Sequence, residues 1–262
     1  MTRTILLAIF TLGLTAQFIR PLNDALQEKS LLGGALLSLV AYIMYDAIQD
    51  LGRESRRSVE PLSIDTALDA AFKSRSVAIS FIGYTSETFF SRLAGQLGAL
   101  RNDPGTTRSI NVRILIPDLS RETGLPCRME SNGTFSDDAE FRGYLFGKAA
   151  DHARLLTWLT RLLNNEGIIH CTIEFRLYPG IPMCKLYVLN GGCALLGLYQ
   201  VDSETEFPYE EPDRVLLDPK GGQVTMHAWE KSDGTQESEN AVGGCARFFD
   251  GLWKISRVPE WP

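Results

Sequence analysis

The sequence predicts an α/β domain, a mixed sheet flanked by helices, preceded by a two-helix transmembrane hairpin. Three observations lead there. Two long apolar stretches lie near the start. A strand–helix–strand order begins at residue 76. A pair of apolar strands is joined across Asn190-Gly191.

The apolar stretches come first. Residues 4–19 (TILLAIFTLGLTAQFI) carry no formal charge, and residues 30–48 (SLLGGALLSLVAYIMYDAI) carry only Asp46. As helices they would span roughly 24 Å and roughly 28 Å at 1.5 Å per residue. A hydrocarbon core of about 30 Å suits the second better than the first, with snorkelling by Arg3 and Arg20 or bilayer thinning covering the shortfall. The linker RPLNDALQEK is polar enough for a loop outside the bilayer. Arg3 before the hairpin and Arg53, Arg56 and Arg57 after it favour both ends in the cytoplasm. The basic cluster fits anchoring to anionic lipid beside the membrane. Gly33, Gly34, Ala35 and Ser38 would let the second helix pack closely on a partner. Two other readings compete: a cleaved signal peptide over the first stretch, or two buried helices of a soluble core.

A polar stretch with a proline, residues 52–63 (GRESRRSVEPLS), divides a hairpin over 1–52 from a cytoplasmic domain over 58–262. In that domain residues 64–73 read as a short helix. Residues 76–83 (SVAISFIG) form a compact apolar run rich in β-favouring side chains, and so a buried strand. Residues 86–102 space Phe89, Phe90, Leu93, Leu97 and Leu100 as a helix does, with Ser86 as N-cap. Residues 110–116 (INVRILI) form a strand stopped by Pro117. Strand, helix, strand is a βαβ unit with a parallel pair. Residues 120–136 read as loop, and 138–165 as a long helix ended by NNEG. Further strands follow over 169–177, 183–189 and 193–201, the last two closed by Asn190-Gly191, a strong hairpin signal. Residues 202–240 read as an acidic, solvated excursion with one candidate strand, VTMHAW. Residues 241–254 read as a closing amphipathic helix.

Composition narrows the function classes. The net charge of −6 disfavours broad attraction to nucleic acid. The five cysteines, Cys127, Cys171, Cys184, Cys193 and Cys245, are odd in number and form no CxxC pair. They read as buried reduced thiols rather than a disulfide framework or zinc site. The three histidines, His152, His170 and His227, show no metal-ligand spacing, and no cofactor is implied. Asp118, Tyr84 and Thr85 follow strands of the βαβ unit, where ligands of parallel sheets gather.

The most informative stretch is PGIPMCKLYVLNGGCALLGLYQ, residues 179–200. Lys185 is followed after four residues by Asn190-Gly191, and after six more by Gly197, Leu198 and Gln200. This arrangement resembles the motif of the phospholipase D-like superfamily: His-x-Lys, four residues, Asp, six residues, Gly-Ser-x-Asn. Met183 stands at the histidine position, Asn190 at the aspartate, Leu198 at the serine and Gln200 at the asparagine. The lysine, glycines and spacing match; the histidine, aspartate and serine do not. The resemblance implies a phospholipase D-like fold over roughly 64–254. In that family the histidine forms a covalent phosphohistidine, and a second histidine protonates the leaving group. Methionine can do neither.

Together with the apolar stretches, the resemblance points to a membrane-anchored, non-catalytic domain that binds a phosphate-bearing ligand through Lys185, Asn190, Gln200 and Met183 and signals to its hairpin. Its partners would be membrane lipid, a small phosphate ligand and a second copy of itself. Two alternatives stand beside it: a divergent membrane-surface phosphodiesterase or phospholipase, and a dimerising scaffold.

Overall fold

A computed structural model describes residues 64–167, 169–201, 204–206, 215–221 and 224–262, with 58–59 and the single positions 42 and 44. The chain divides into Met1–Arg57 and Ser58–Pro262. The membrane hairpin read from the sequence lies outside the described residues. Among the described residues no helix is long and apolar enough to cross a membrane.

The second unit is a mixed α/β fold. In chain order its elements are β1 (Ser58–Val59), α1 (Ile64–Phe72), β2 (Ser76–Ile82), α2 (Glu87–Asn102), β3 (Ser109–Pro117), β4 (Cys127–Met129), β5 (Phe135–Asp137), α3 (Ala139–Asn165) and β6 (His170–Tyr178). There follow β7 (Cys184–Leu189), β8 (Cys193–Leu198), β9 (Glu204–Glu206), β10 (Val215–Leu217), β11 (Met226–Glu230), a 3-10 turn and α4 (Gln236–Ile255). The main sheet runs β1-β11-β8-β7-β2-β3-β6. Strands β2, β3 and β6 are mutually parallel, as the βαβ reading requires, and β7, β8, β11 and β1 continue antiparallel.

Alternation along the strands divides the core between the two sheet faces. Val77, Ile79 and Phe81 of β2, Ile110, Val112 and Ile114 of β3, and Tyr187 and Leu189 of β7 pack with α1, α2 and α3. Ile82, Leu115, Leu186 and Val188 form the opposite cluster with Phe249 of α4. Strand β7 has neighbours on both edges and cover on both faces, so all six of its residues are buried. On the α4 face, Arg113 of β3 lies over the rings of Phe249 (4.8 Å) and Trp253 (5.6 Å) and ion-pairs with Asp250 at 2.9 Å. This is cation–π packing that lets a charged strand residue face a helix.

Helix starts follow local chemistry. The Asp138 carboxylate accepts from the Phe141 amide at 2.9 Å, and the Thr235 hydroxyl accepts from the Ser238 amide at 3.1 Å, so both long helices are capped. Ser86 does occupy the N-cap of α2, but in a left-handed conformation and with no side-chain cap bond.

Two segments read as loop carry structure. Residues 120–136 hold β4 and the start of β5, and 202–240 hold β9, β10, β11 and the start of α4. Strand β10 pairs with β4 and β9, forming a second, four-stranded antiparallel sheet in the order β5-β4-β10-β9. The acidic excursion is not merely solvated, because Leu216, Val224 and Met226 enter the core.

Candidate functional site

The parallel strands β2 and β3 end beside the start of β7. Leu186 pairs with Ile82, and Leu198 at the end of β8 pairs with Cys184. Lys185 therefore sits beside the carboxyl end of the parallel strand β2, the kind of place where ligands of parallel sheets gather. Its side chain points to the α1–α3 face and is only 3% exposed. The Nζ donates to the Gly221 carbonyl at 3.1 Å. An ammonium has three donors, and this neutral carbonyl is its one hydrogen-bond partner among the described residues. Burial, then the charge of Arg92, lowers the Lys185 pKa to about 8.

Around the lysine lies a group of tyrosines. The Tyr84 amide donates to the Tyr199 hydroxyl at 2.9 Å, and the two rings meet edge to face at 6.4 Å. The Tyr84 phenol faces the Asp218 carboxylate; burial and that charge push the phenol upward. Burial also raises Asp218 to about 6, against the lowering effects of Tyr84, Lys220 and Lys148. Gly221 passes so close that a Cβ there would stand 3.4 Å from the Tyr199 ring and 3.9 Å from the Lys185 Nζ.

The sequence-derived site residues separate into two groups. Met183, Lys185 and Gln200 gather at this end of the β7–β8 pair. Met183 is 62% exposed, its carbonyl accepts from the Tyr199 amide at 3.1 Å, and Gln200 is exposed beside Tyr199. Asn190 is at the other end of β7, about 17 Å along the strand at ~3.3 Å per residue. There it forms the hairpin turn with φ 50°. Its side chain accepts from the Ala78 amide (2.8 Å) and donates to the Ala71 carbonyl (3.0 Å) and Ser74 hydroxyl (3.1 Å). Asn190 ties the turn to α1 and β2.

The other candidates are engaged elsewhere. Both oxygens of Asp118 accept from Arg257, each at 2.8 Å, and Ser120 donates at 2.6 Å. Burial alone would raise this carboxyl, but those hydrogen bonds and the guanidinium charge hold it below its usual range. His152 stacks on Phe90 at 4.2 Å with Nδ1 3.3 Å from the Thr85 carbonyl, while His170 and His227 are exposed. The five cysteines are free thiols. Among the described residues no cluster of His, Cys, Asp or Glu could hold a metal ion.

Sequence reasoning missed Tyr199, Asp218 and Gly221. Tyr199 was within reach, because it follows Gly197 by two residues and period-2 alternation puts both on the lysine's face. Asp218 and Gly221 lie in the acidic run, which has no periodicity to read.

No family profile matches the chain, and no curated protein matches it. Among solved structures it is similar to a phospholipase D family member, Nuc from Salmonella typhimurium, at 11% identity and a TM-score of 0.32. The match covers 72% of this chain and 86% of that one.

Proposed function

We propose that this is a membrane-anchored, catalytically inactive phospholipase D-like protein that binds a phosphate-bearing ligand at Lys185 and passes the bound state to its membrane segment. One observation carries the reading. Lys185 is a buried cation beside the carboxyl end of β2 whose hydrogen bonding, among the described residues, is to one neutral carbonyl. Among the described residues it forms no ion pair; burying an ammonium in that way is costly, and an anionic ligand supplies a compensating charge. Met183, in the nucleophile's place, can neither form a bond to phosphorus nor transfer a proton. The anchoring part of the proposal rests on the two apolar stretches of the sequence.

Two measurements on the full-length protein test it. A thermal-shift screen of nucleotides and phospholipid headgroups is expected to give hits that stabilise the wild type and fail with Lys185→Ala. Hits unchanged by that substitution would remove the lysine from the site. Incubation with phosphodiester substrates is expected to give no turnover. Hydrolysis that disappears in Lys185→Ala would make the protein an enzyme.

A further inference from the structure

Strand β6 is the last strand of the main sheet, and its outer edge is closed at two points. At one end the Asn164 side chain imitates a neighbouring strand. Its Oδ1 accepts from the Cys171 amide and its Nδ2 donates to the Cys171 carbonyl, both at 2.8 Å. At the other end the Leu177 amide donates to the Arg257 carbonyl at 2.8 Å, and the Arg257 amide donates to the Leu177 carbonyl at 3.0 Å. Backbone groups of alternate residues face the same edge, so those of Ile173 and Phe175 face outward between the two closures. Among the described residues nothing pairs with them there.

The chain beyond α4 makes the second closure. It leaves α4 on one face of the sheet, crosses the edge at Arg257, and sets Trp261 on the other face against Phe146 of α3 (5.3 Å) and Phe175 (5.8 Å). Arg257 is also held by Asp118, and Arg154 donates to the Pro262 carbonyl. Continued in register from Arg257 and Leu177, the tail would bring Pro259 opposite Phe175. Proline has no amide hydrogen to donate, so the ladder stops and the edge is covered without being paired.

We propose that residues 256–262 are a releasable clasp over an interaction edge, and that the partner is a second copy of this chain, paired β6 to β6 antiparallel about an axis at Phe175. The order of charges selects that partner and that register. With the axis at Phe175, Glu174 of each copy lies opposite Arg176 of the other, and Ile173 pairs with Leu177. Moving the axis to Glu174 or to Arg176 sets like charges opposite each other, which is destabilising. Arg176 keeps its place over the Trp253 ring at 4.6 Å; only the sign of its charge matters across the pair. The favoured register needs Leu177, which the clasp occupies. With the clasp shut, Ile173 and Phe175 alone are open, and pairing them puts Glu174 against Glu174. A covered edge interrupted by proline resists pairing; releasing it joins two main sheets into one. This surface is independent of Lys185.

The test is sedimentation equilibrium of the full-length protein in density-matched detergent, beside a chain ending at Ile255 and beside Trp261→Ala, which loosens the clasp while keeping Arg257 on Asp118. All three share the N-terminal segment, so any association through it is common to them. The shortened chain is expected to dimerise more tightly than wild type by about tenfold or more, the worth of one or two net backbone hydrogen bonds, and Trp261→Ala to fall between them. Glu174→Arg added to either should abolish the gain, and Arg176→Glu added to that should restore it. The proposal is overturned if neither the shortened chain nor Trp261→Ala dimerises more tightly than wild type. It is also overturned if the gain survives Glu174→Arg, which would assign it to another surface or to the apolar rings that Trp261 had covered.

Discussion

Replacing Lys185 by methionine should stabilise the folded protein. The ammonium's pKa falls from an ordinary 10.5 to about 8, first through burial and then through Arg92. At 1.36 kcal/mol per pH unit, holding the charged form at pH 7 costs the fold about 3 kcal/mol. Methionine has a similar length, no charge and a flexible fit. It forfeits the bond to Gly221, worth about 2 kcal/mol for a charged donor, which leaves a net gain of about 1 kcal/mol. The pH dependence has a definite sign. Between pH 8 and 10.5 the unfolded lysine binds more protons than the folded one, so wild-type stability rises with pH through that window. The advantage of Lys185→Met should therefore be fullest below pH 8 and shrink as pH approaches 10.5. Urea unfolding of the full-length protein at pH 7 and pH 10 measures both, read by tryptophan fluorescence. All four tryptophans, Trp158, Trp229, Trp253 and Trp261, lie beyond residue 57, so the signal reports the unit that holds the site. A variant no more stable than wild type at pH 7, or an advantage that does not decline with pH, would refute the reasoning.

Asn190→Ala should lose about 2 kcal/mol in the same urea assay, through its turn-fixing hydrogen bonds and the left-handed backbone that alanine tolerates poorly. Phosphate binding by the folded fraction should not change. Gly197→Ala should cost about 2 kcal/mol or more, because its Cβ would stand 2.4 Å from the Val224 Cγ1 and 2.7 Å from the Thr225 carbonyl oxygen. Asp118 is held below the usual carboxylate range, so its pairing stabilises at neutral pH and is lost as pH falls through the folded value. Asp118→Asn should accordingly unfold more easily at pH 7 and show a shallower acid limb, measured by circular dichroism from pH 6 to pH 2.

The main sheet and helices were legible because their apolar spacing is long enough to show a period. Residues 76–82 and 110–116 announced a parallel pair, and Asn190-Gly191 announced the turn that its positive φ values make. The second sheet was illegible for a physical reason. Strands β4, β5, β9 and β10 have three residues each, too few for alternation, and β10 pairs with a segment far away in sequence. The candidate site was legible by half. Spacing located Lys185, but spacing is blind to burial, and so it grouped Asn190 with a lysine at the other end of the strand. The tyrosines looked like ordinary core residues, and their hydroxyls acquire meaning only when their neighbours are known.

The burial pattern along the β7–β8 hairpin has a consequence for how such a domain tolerates substitution. Lys185 and Gly197, inside the sheet, are buried, while Met183 and Leu198, at its rim, are 62% and 70% exposed. Substitution can therefore change the rim with little effect on the scaffold, whereas the buried positions are held by packing whatever the rim does. A histidine placed at 183 would meet solvent rather than a packed neighbour, so the hairpin can accept that change without refolding.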